Sequence, residues 1–272
     1  MHSIVILLCA LSCSKHLLQE VPVEDPLKSN EHDVVRIIAH KGFWRSDQSQ
    51  LATNSIAALR SANEYNLWGC EFDVQITADS IPIVYHDDNI EGVKFATNAL
   101  SSFSIFRLPN GEEIPTLDSY LFAVPEDGDL VLVIELKPQS TKDMNNLLVD
   151  KSLDLLSQHD LLSKDKIVFI SFSSEICERL ANRLPGFTIQ ALFSNKSLAE
   201  VKSMGLSGID YYQDILLGNP SIINEAHNME LDVNVWTVNN QSDMQSLICS
   251  GVDYITTDEP LLLRSLMIDT CQ

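Results

Sequence analysis

Positive charge is scarce in this chain. Lys and Arg number 18 against 38 Asp and Glu, a formal net charge of −20. A field of that sign repels nucleic acid and offers no general basic footprint, so no nucleic-acid partner is expected, and no feature suggests a protein partner. An anionic ligand would need positive charge supplied locally, by a metal ion or a few lysines. Closely spaced cysteine motifs are also lacking. The 6 cysteines include no C-x-x-C spacing, which argues against a zinc site or a disulfide framework. Cys70 and Cys249 sit in apolar stretches and read as small core residues. No apolar run is long enough to span a bilayer, and there is no internal repeat or low-complexity tract.

The chain does have enough apolar material for one sizeable core, with 45% hydrophobic residues over 272 positions. Its start reads as a targeting segment. Residues 4–11 form a short apolar run of signal-sequence length, and Ala10-Leu11-Ser12-Cys13 resembles a bacterial lipobox. Residues 1–13 are therefore expected to be a lipoprotein-type signal segment. Residues 14–33, with Pro22, Pro26 and no periodicity, are expected to be a tether. That reading implies a membrane anchor through a lipid on Cys13 and a place in the bacterial cell envelope, facing the periplasm or the surface. Met1-His2-Ser3 carries no Lys or Arg, so a missing start or a plain buried strand stays open as the alternative.

From residue 34 onward, short apolar segments alternate with amphipathic ones. Candidate strands are 34–39, 70–75, 82–86, 130–136, 166–171, 187–192, 208–212, 232–237 and 253–256. Helical patterns lie between most of them. One starts near Thr53-Asn54, and another runs from Ser242 to a stop at Gly251. Such alternation implies a parallel sheet covered by helices. Only residues 76–81 separate the second and third candidates, too few for a parallel crossover. The third strand must fold back as a hairpin, and removing it leaves eight parallel strands. The expected fold is α/β, a TIM (β/α)8 barrel over 34–272, with a β-hairpin after strand 2 and a small inserted cap at 87–129 over the barrel mouth. A two-residue hairpin loop at Asp79-Ser80 would set paired positions to sum to 159 and place His86 opposite Asp73.

Barrel sites are built at the C-terminal ends of strands. His40 follows the first strand. Glu71 and Asp73 lie two apart on the second and so share a face. Their neighbours Cys70, Phe72 and Val74 must pack outward, so both acids point into the barrel. That placement is costly unless they are paired or bind a cation. Glu135 and Lys137 end a later strand, and Trp236 ends another. Glu71, Asp73 and Glu135 make a hard oxygen set suited to one divalent cation, Ca2+ or Mg2+. The two histidines are then free for proton transfer. Trp236 could equally be plain core, and Asp258 reads as a helix cap before Pro260.

Taken in order, Ala39-His40-Lys41-Gly42, Thr53-Asn54-Ser55, Glu71-Phe72-Asp73-Val74, Ile83-Val84-Tyr85-His86-Asp87, Glu135-Leu136-Lys137, Trp236-Thr237-Val238 and Ile255-Thr256-Thr257-Asp258-Glu259-Pro260 resemble the glycerophosphodiester phosphodiesterase family. The resemblance spans about residues 34–265. It implies a TIM barrel that cleaves glycerophosphodiesters to glycerol 3-phosphate and an alcohol with a divalent cation. Carried over by position, His40 and His86 are the acid–base pair, with His40 the base by analogy with bacterial phosphatidylinositol-specific phospholipase C. Glu71, Asp73 and Glu135 hold the metal. Lys41, Asn54, Lys137 and Trp236 contact substrate. Three departures stand out: Lys41 where the family usually has Arg, Ala52-Thr53 in place of Pro-Glu, and Asp79-Ser80 in place of Asp-Gly. Related readings are phospholipase C- or D-like cleavage of intact phospholipid, favoured if Phe95, Phe103, Ile105 and Phe106 form an exposed rim, and a non-catalytic phosphoester-binding lipoprotein.

Overall fold

The computed structural model describes residues 35–126 and 128–267. The signal, tether and Cys13 readings at 1–33 lie outside the described residues. All described residues belong to one unit that begins at Val35.

The pattern of β2 (Gly69–Ile76) explains the architecture. All eight of its residues are buried. Cys70, Phe72, Val74 and Ile76 join the main apolar cluster between sheet and helices, while Glu71, Asp73 and Gln75 alternate with them on the other face. Burying each large apolar side chain is worth about 1.5–3 kcal/mol, so a one-residue slip would turn four core residues inward and three polar ones outward.

The chain runs β1 (Arg36–Ala39), β2, then β3 (Pro82–Val84), a small ribbon of β4 (Asn89–Ile90) and β5 (Val93–Lys94), and six further strands. These are β6 (Val131–Leu136), β7 (Ile167–Ser171), β8 (Thr188–Ala191), β9 (Gly208–Tyr212), β10 (Asp232–Trp236) and β11 (Tyr254–Thr257). Neighbours in the order β1-β2-β6-β7-β8-β9-β10-β11 pair in parallel, and β11 pairs with β1. The eight strands close into a TIM barrel, with β3 added antiparallel to β2. A second apolar cluster inside the barrel is formed by Ile38, Val131, Val133, Val168, Ile170, Leu192 and Tyr254. The acids lie toward the strands' C-terminal ends.

Helix α1 (Ile56–Glu64) is capped by Ser55, which accepts from the Ala58 N–H, and not by the preceding Thr53-Asn54. The helix Gln241–Ser250 ends, as its sequence predicts, on Gly251 in the left-handed conformation. On that helix Cys249 is exposed and disulfide-bonded, so it is no core residue. Cys70 is buried and free as expected.

Two expectations about the region after β2 need correction. The hairpin pairs Val74 with Val84 and Ile76 with Pro82, positions that sum to 158, so the loop is one residue longer than expected. Ser80 takes the left-handed conformation (φ 65°), and the Thr77 hydroxyl ties the turn to Asp79 and Ile81. Tyr85, not His86, faces Asp73, donating its N–H to the Asp73 carbonyl. The 87–129 segment is also not one cap. Its last helix, α2 (Leu117–Phe122), packs Leu117, Tyr120 and Leu121 into the main core. The rest has its own apolar cluster, in which Phe95 and Phe103 are buried and Phe106 is half-buried, so of the four suggested rim residues only Ile105 is exposed. This piece sits beside the mouth, where Glu112 accepts the Ile56 and Ala57 N–H groups at the start of α1.

Candidate active site

A cavity of about 240 Å³ opens at the C-terminal end of the barrel, lined on one side by His40, Glu71, His86, Glu135 and Lys137. The other side is mostly apolar, with Ile170, Phe172, Leu192 and Trp236, and Asp210 and Thr256 complete the wall. The strands that carry these residues are far apart in sequence and meet only through barrel closure.

The three expected metal-binding acids come together. Glu71, Asp73 and Glu135 are buried, and one carboxylate oxygen from each lies within 4.8 Å of the others. Register explains the grouping, because β2 and β6 place Asp73 directly beside Glu135. Lys137 bridges them, its Nζ 3.2 Å from Asp73 and 2.9 Å from Glu135. Burial, reinforced by Asp73 and Glu135, holds the Glu71 carboxyl well above the usual range. Burial and Asp73 push Glu135 up to about 8. Asp73 goes the other way: burial opposes its ionisation, but Lys137, His86 and Asn54 outweigh it. Burial also opposes the Lys137 charge, yet Asp73 and Glu135 raise its pKa. Three buried acids against one lysine leave a charge deficit that a divalent cation would balance, and an all-oxygen donor set fits such an ion.

Asn54 is almost fully buried, and both ends of its amide serve Asp73. Nδ2 donates to Oδ2 at 2.8 Å, and Oδ1 accepts the Asp73 N–H at 3.1 Å. It therefore orients a carboxylate, where the sequence suggests a contact with substrate. Lys41 reaches the site through its backbone, donating its N–H to Glu71 Oε2 at 2.7 Å. Lys41 and Gly42 are both left-handed, at φ 55° and 77°. Glycine is required at 42, because a Cβ there would meet Ala58 Cβ at 2.7 Å.

Each histidine has a carboxylate on Nδ1. His40 lies 2.8 Å from Asp258, and His86 lies 2.6 Å from Asp87. Asp258 is thus not a helix cap: it also accepts from Trp44 Nε1 at 2.8 Å and Asn239 Nδ2 at 2.7 Å. Although His86 is one position off the expected register, β3 ends at Val84 and the chain is pinned beyond it. Gln75 donates to the backbone carbonyls of His86 and Asp87, and Gln139 in turn donates to Gln75. Partial burial lowers the His86 pKa, with Lys137 adding to the effect against the pull of Asp73.

Trp236 donates its indole N–H to the Asp210 carbonyl at 3.1 Å. Phe172 and Tyr212 stand edge-on to its ring, with centroids 5.6 and 5.3 Å away. Sequence reasoning missed Asp87 as a partner, Gln75, Gln139, Phe172, Asp210 and Tyr212. For Gln75 and Asp210 a signal exists, namely a polar residue in phase with the inward face of an apolar strand.

A model of the Glycerophosphoryl diester phosphodiesterase family matches residues 40–262. A glycerophosphodiester phosphodiesterase from Caldanaerobacter subterraneus subsp. tengcongensis is 26% identical over 248 residues, 85% of this chain and 97% of that protein. The crystal structure of a glycerophosphodiester phosphodiesterase from Parabacteroides distasonis superposes with a TM-score of 0.81 at 32% identity, covering 86% of this chain and 96% of that one. An Oleispira antarctica phosphodiesterase, solved with the product sn-glycerol-3-phosphate, shares the fold with a TM-score of 0.75 at 21% identity, over 87% and 98% of the two chains. The chain belongs to the glycerophosphodiester phosphodiesterase family and is a phosphodiester hydrolase.

Proposed function

We propose that the protein cleaves glycerophosphodiesters to glycerol 3-phosphate and an alcohol, using His40 and His86 for proton transfer and one divalent cation, Ca2+ or Mg2+, held by Glu71, Asp73 and Glu135. The observation that carries this reading is a single cavity where two imidazoles, each backed by a carboxylate, meet a buried acidic triad and a lysine. The product agrees with that bound to the Oleispira relative.

Bound there, the cation would act as a Lewis acid on the phosphoryl oxygens. Lys137 offers the cavity's nearest fixed positive charge and would meet the charge that builds on those oxygens. Lys41, half-buried beside the acids, adds to the local positive potential. His40 is the base: Asp258 fixes its Nδ1, leaving Nε2 to take a proton from the nucleophile. His86, nearly half-exposed on the solvent side, is the acid for the departing alcohol. Its depressed pKa belongs to the ligand-free site, and an anionic phosphodiester would raise it again. Trp236 closes the apolar side and would line the glycerol half of the substrate.

The interior position of Phe95 and Phe103 removes the apolar rim that would have favoured intact phospholipid. The lipid anchor at Cys13 and the cell-envelope location remain part of the proposal, supported by the lipobox-like sequence. The test is release of glycerol 3-phosphate from a panel of glycerophosphodiesters with Ca2+, with Mg2+ and with EDTA, by wild type and by His40→Ala and His86→Ala. Metal-dependent release lost in both variants is expected. Near wild-type turnover in either variant would remove that histidine from the mechanism.

A further inference from the structure

The mechanism uses neither of the polar residues on the apolar side of the cavity, Asp210 and Thr256, and of the two Thr256 is bonded to Asn234. Asp210 is 1% exposed, lines the cavity, and its Oδ1 has no hydrogen-bond partner. Buried carboxyls are normally paired, and one left unpaired in a native fold calls for an explanation.

Its neighbours inside the barrel do not supply one. Asn234 stands beside Asp210 in register, but its Nδ2 is given to Gln190 Oε1 at 3.2 Å. The Asn234 Oδ1 accepts from the Val235 N–H and the Thr256 hydroxyl. The Asn234–Gln190–Thr256 group is therefore bonded together without Asp210. The Trp236 indole instead holds the Asp210 backbone carbonyl, which fixes the ring against the same strand position. An apolar ring face and a buried polar oxygen next to each other suit a small polyol, which has C–H groups on one side and hydroxyls on the other.

We propose that Asp210 is the hydroxyl-recognition residue of this site, hydrogen-bonding a free hydroxyl of the glycerol half of the ligand. This rests on the reading of the cavity as a glycerophosphodiester site. It deepens that reading, because an esterified hydroxyl has no proton to donate and carries extra bulk. Asp210 thereby selects deacylated diesters over intact phospholipids. A site built to bond a substrate hydroxyl discriminates strongly against an analogue that lacks it.

The experiment measures affinity, which separates recognition from chemistry. Glycerol 3-phosphate and n-propyl phosphate are titrated calorimetrically into Ca2+-loaded wild type, Asp210→Ala and Asp210→Asn. Wild type is expected to prefer glycerol 3-phosphate by roughly 10–10²-fold, the scale of leaving one buried polar group unpaired. Asp210→Ala should lose most of that preference with n-propyl phosphate affinity nearly unchanged, while Asp210→Asn, which keeps the oxygen and the volume, should retain most of it. The melting temperature of Asp210→Ala should not fall, since the substitution removes a carboxyl that nothing in the fold pairs. Equal affinity of wild type for the two phosphates, or equal losses for both in Asp210→Ala, would overturn the proposal. Turnover of diesters without hydroxyl preference sinks Asp210 alone. Hydroxyl preference without turnover keeps Asp210 and sinks the proposed hydrolysis.

Discussion

His40 Nδ1 and Asp258 Oδ1 lie 2.8 Å apart across the seam where β11 closes on β1. Trp44 and Asn239 hold the same carboxylate, so the imidazole is fixed by an acid that is itself fixed. Burial opposes ionisation of Asp258, but the bonds from His40, Trp44 and Asn239 prevail and lower its pKa to about 2.

Asp258→Asn should therefore cut turnover by about 10²-fold, with smaller change in KM, because His40 loses its orientation and the partner of its protonated form. Stability provides a second readout. A carboxyl with a depressed folded pKa stabilises above its unfolded value and loses that contribution as the pH falls through the folded one. The denaturation midpoints of wild type and Asp258→Asn should differ most above pH 4 and converge as the pH approaches 2.

Removing the cation should abolish hydrolysis, and adding Ca2+ or Mg2+ back should restore it. A cation at about 100 times its Kd should stabilise the fold by about 2.7 kcal/mol, read as a rise in Tm. Glu71→Gln or Asp73→Asn should reduce that rise. An unchanged rise in both variants would place the ion elsewhere.

Cation affinity should increase with pH up to about 8, by up to tenfold per unit for each proton displaced, since Glu135 must ionise to bind. The metal-free protein should show the opposite trend in stability. Its raised Glu135 keeps a proton that the unfolded chain gives up above about pH 4.5, so stability falls as pH rises through that window. Titrating Tm against pH with and without cation checks both directions.

Asn54→Ala leaves a buried Asp73 oxygen and N–H unpaired, at a cost of about 1–3 kcal/mol. Cation affinity should drop by about 10–100-fold, because the carboxylate is no longer oriented. Isothermal titration of the folded variant with Ca2+ measures it.

Lys137→Met should lower kcat by about 10²–10³-fold, the scale of losing one charge aimed at the reacting oxygens. Metal-dependent Tm shifts should persist, since the three acids stay in place. Single-turnover kinetics on a glycerophosphodiester test the first part.

How much the sequence revealed depended on the range of the interaction. Alternation of Cys70, Phe72 and Val74 with Glu71 and Asp73 assigned faces to β2 because period two is a local property of the backbone. The short spacing between β2 and β3 demanded a hairpin by chain reach alone. The register of that hairpin was not legible, because Ser80 adopts a left-handed turn usually reserved for glycine and lengthens the loop by one residue. Cys249 lies in an apolar stretch, yet helix packing leaves it exposed.

By itself the sequence determined the barrel, the inward acids and the two histidines, since strand period, chain reach and motif order are all written along one dimension. Only the tertiary structure decided which groups back them. Asp258 reaches His40 across 218 positions, Gln139 reaches Gln75 across 64, and Asn234 stands beside Asp210 by strand register. Those pairings follow from barrel closure and from how the inward side chains share hydrogen bonds, neither of which a linear pattern carries.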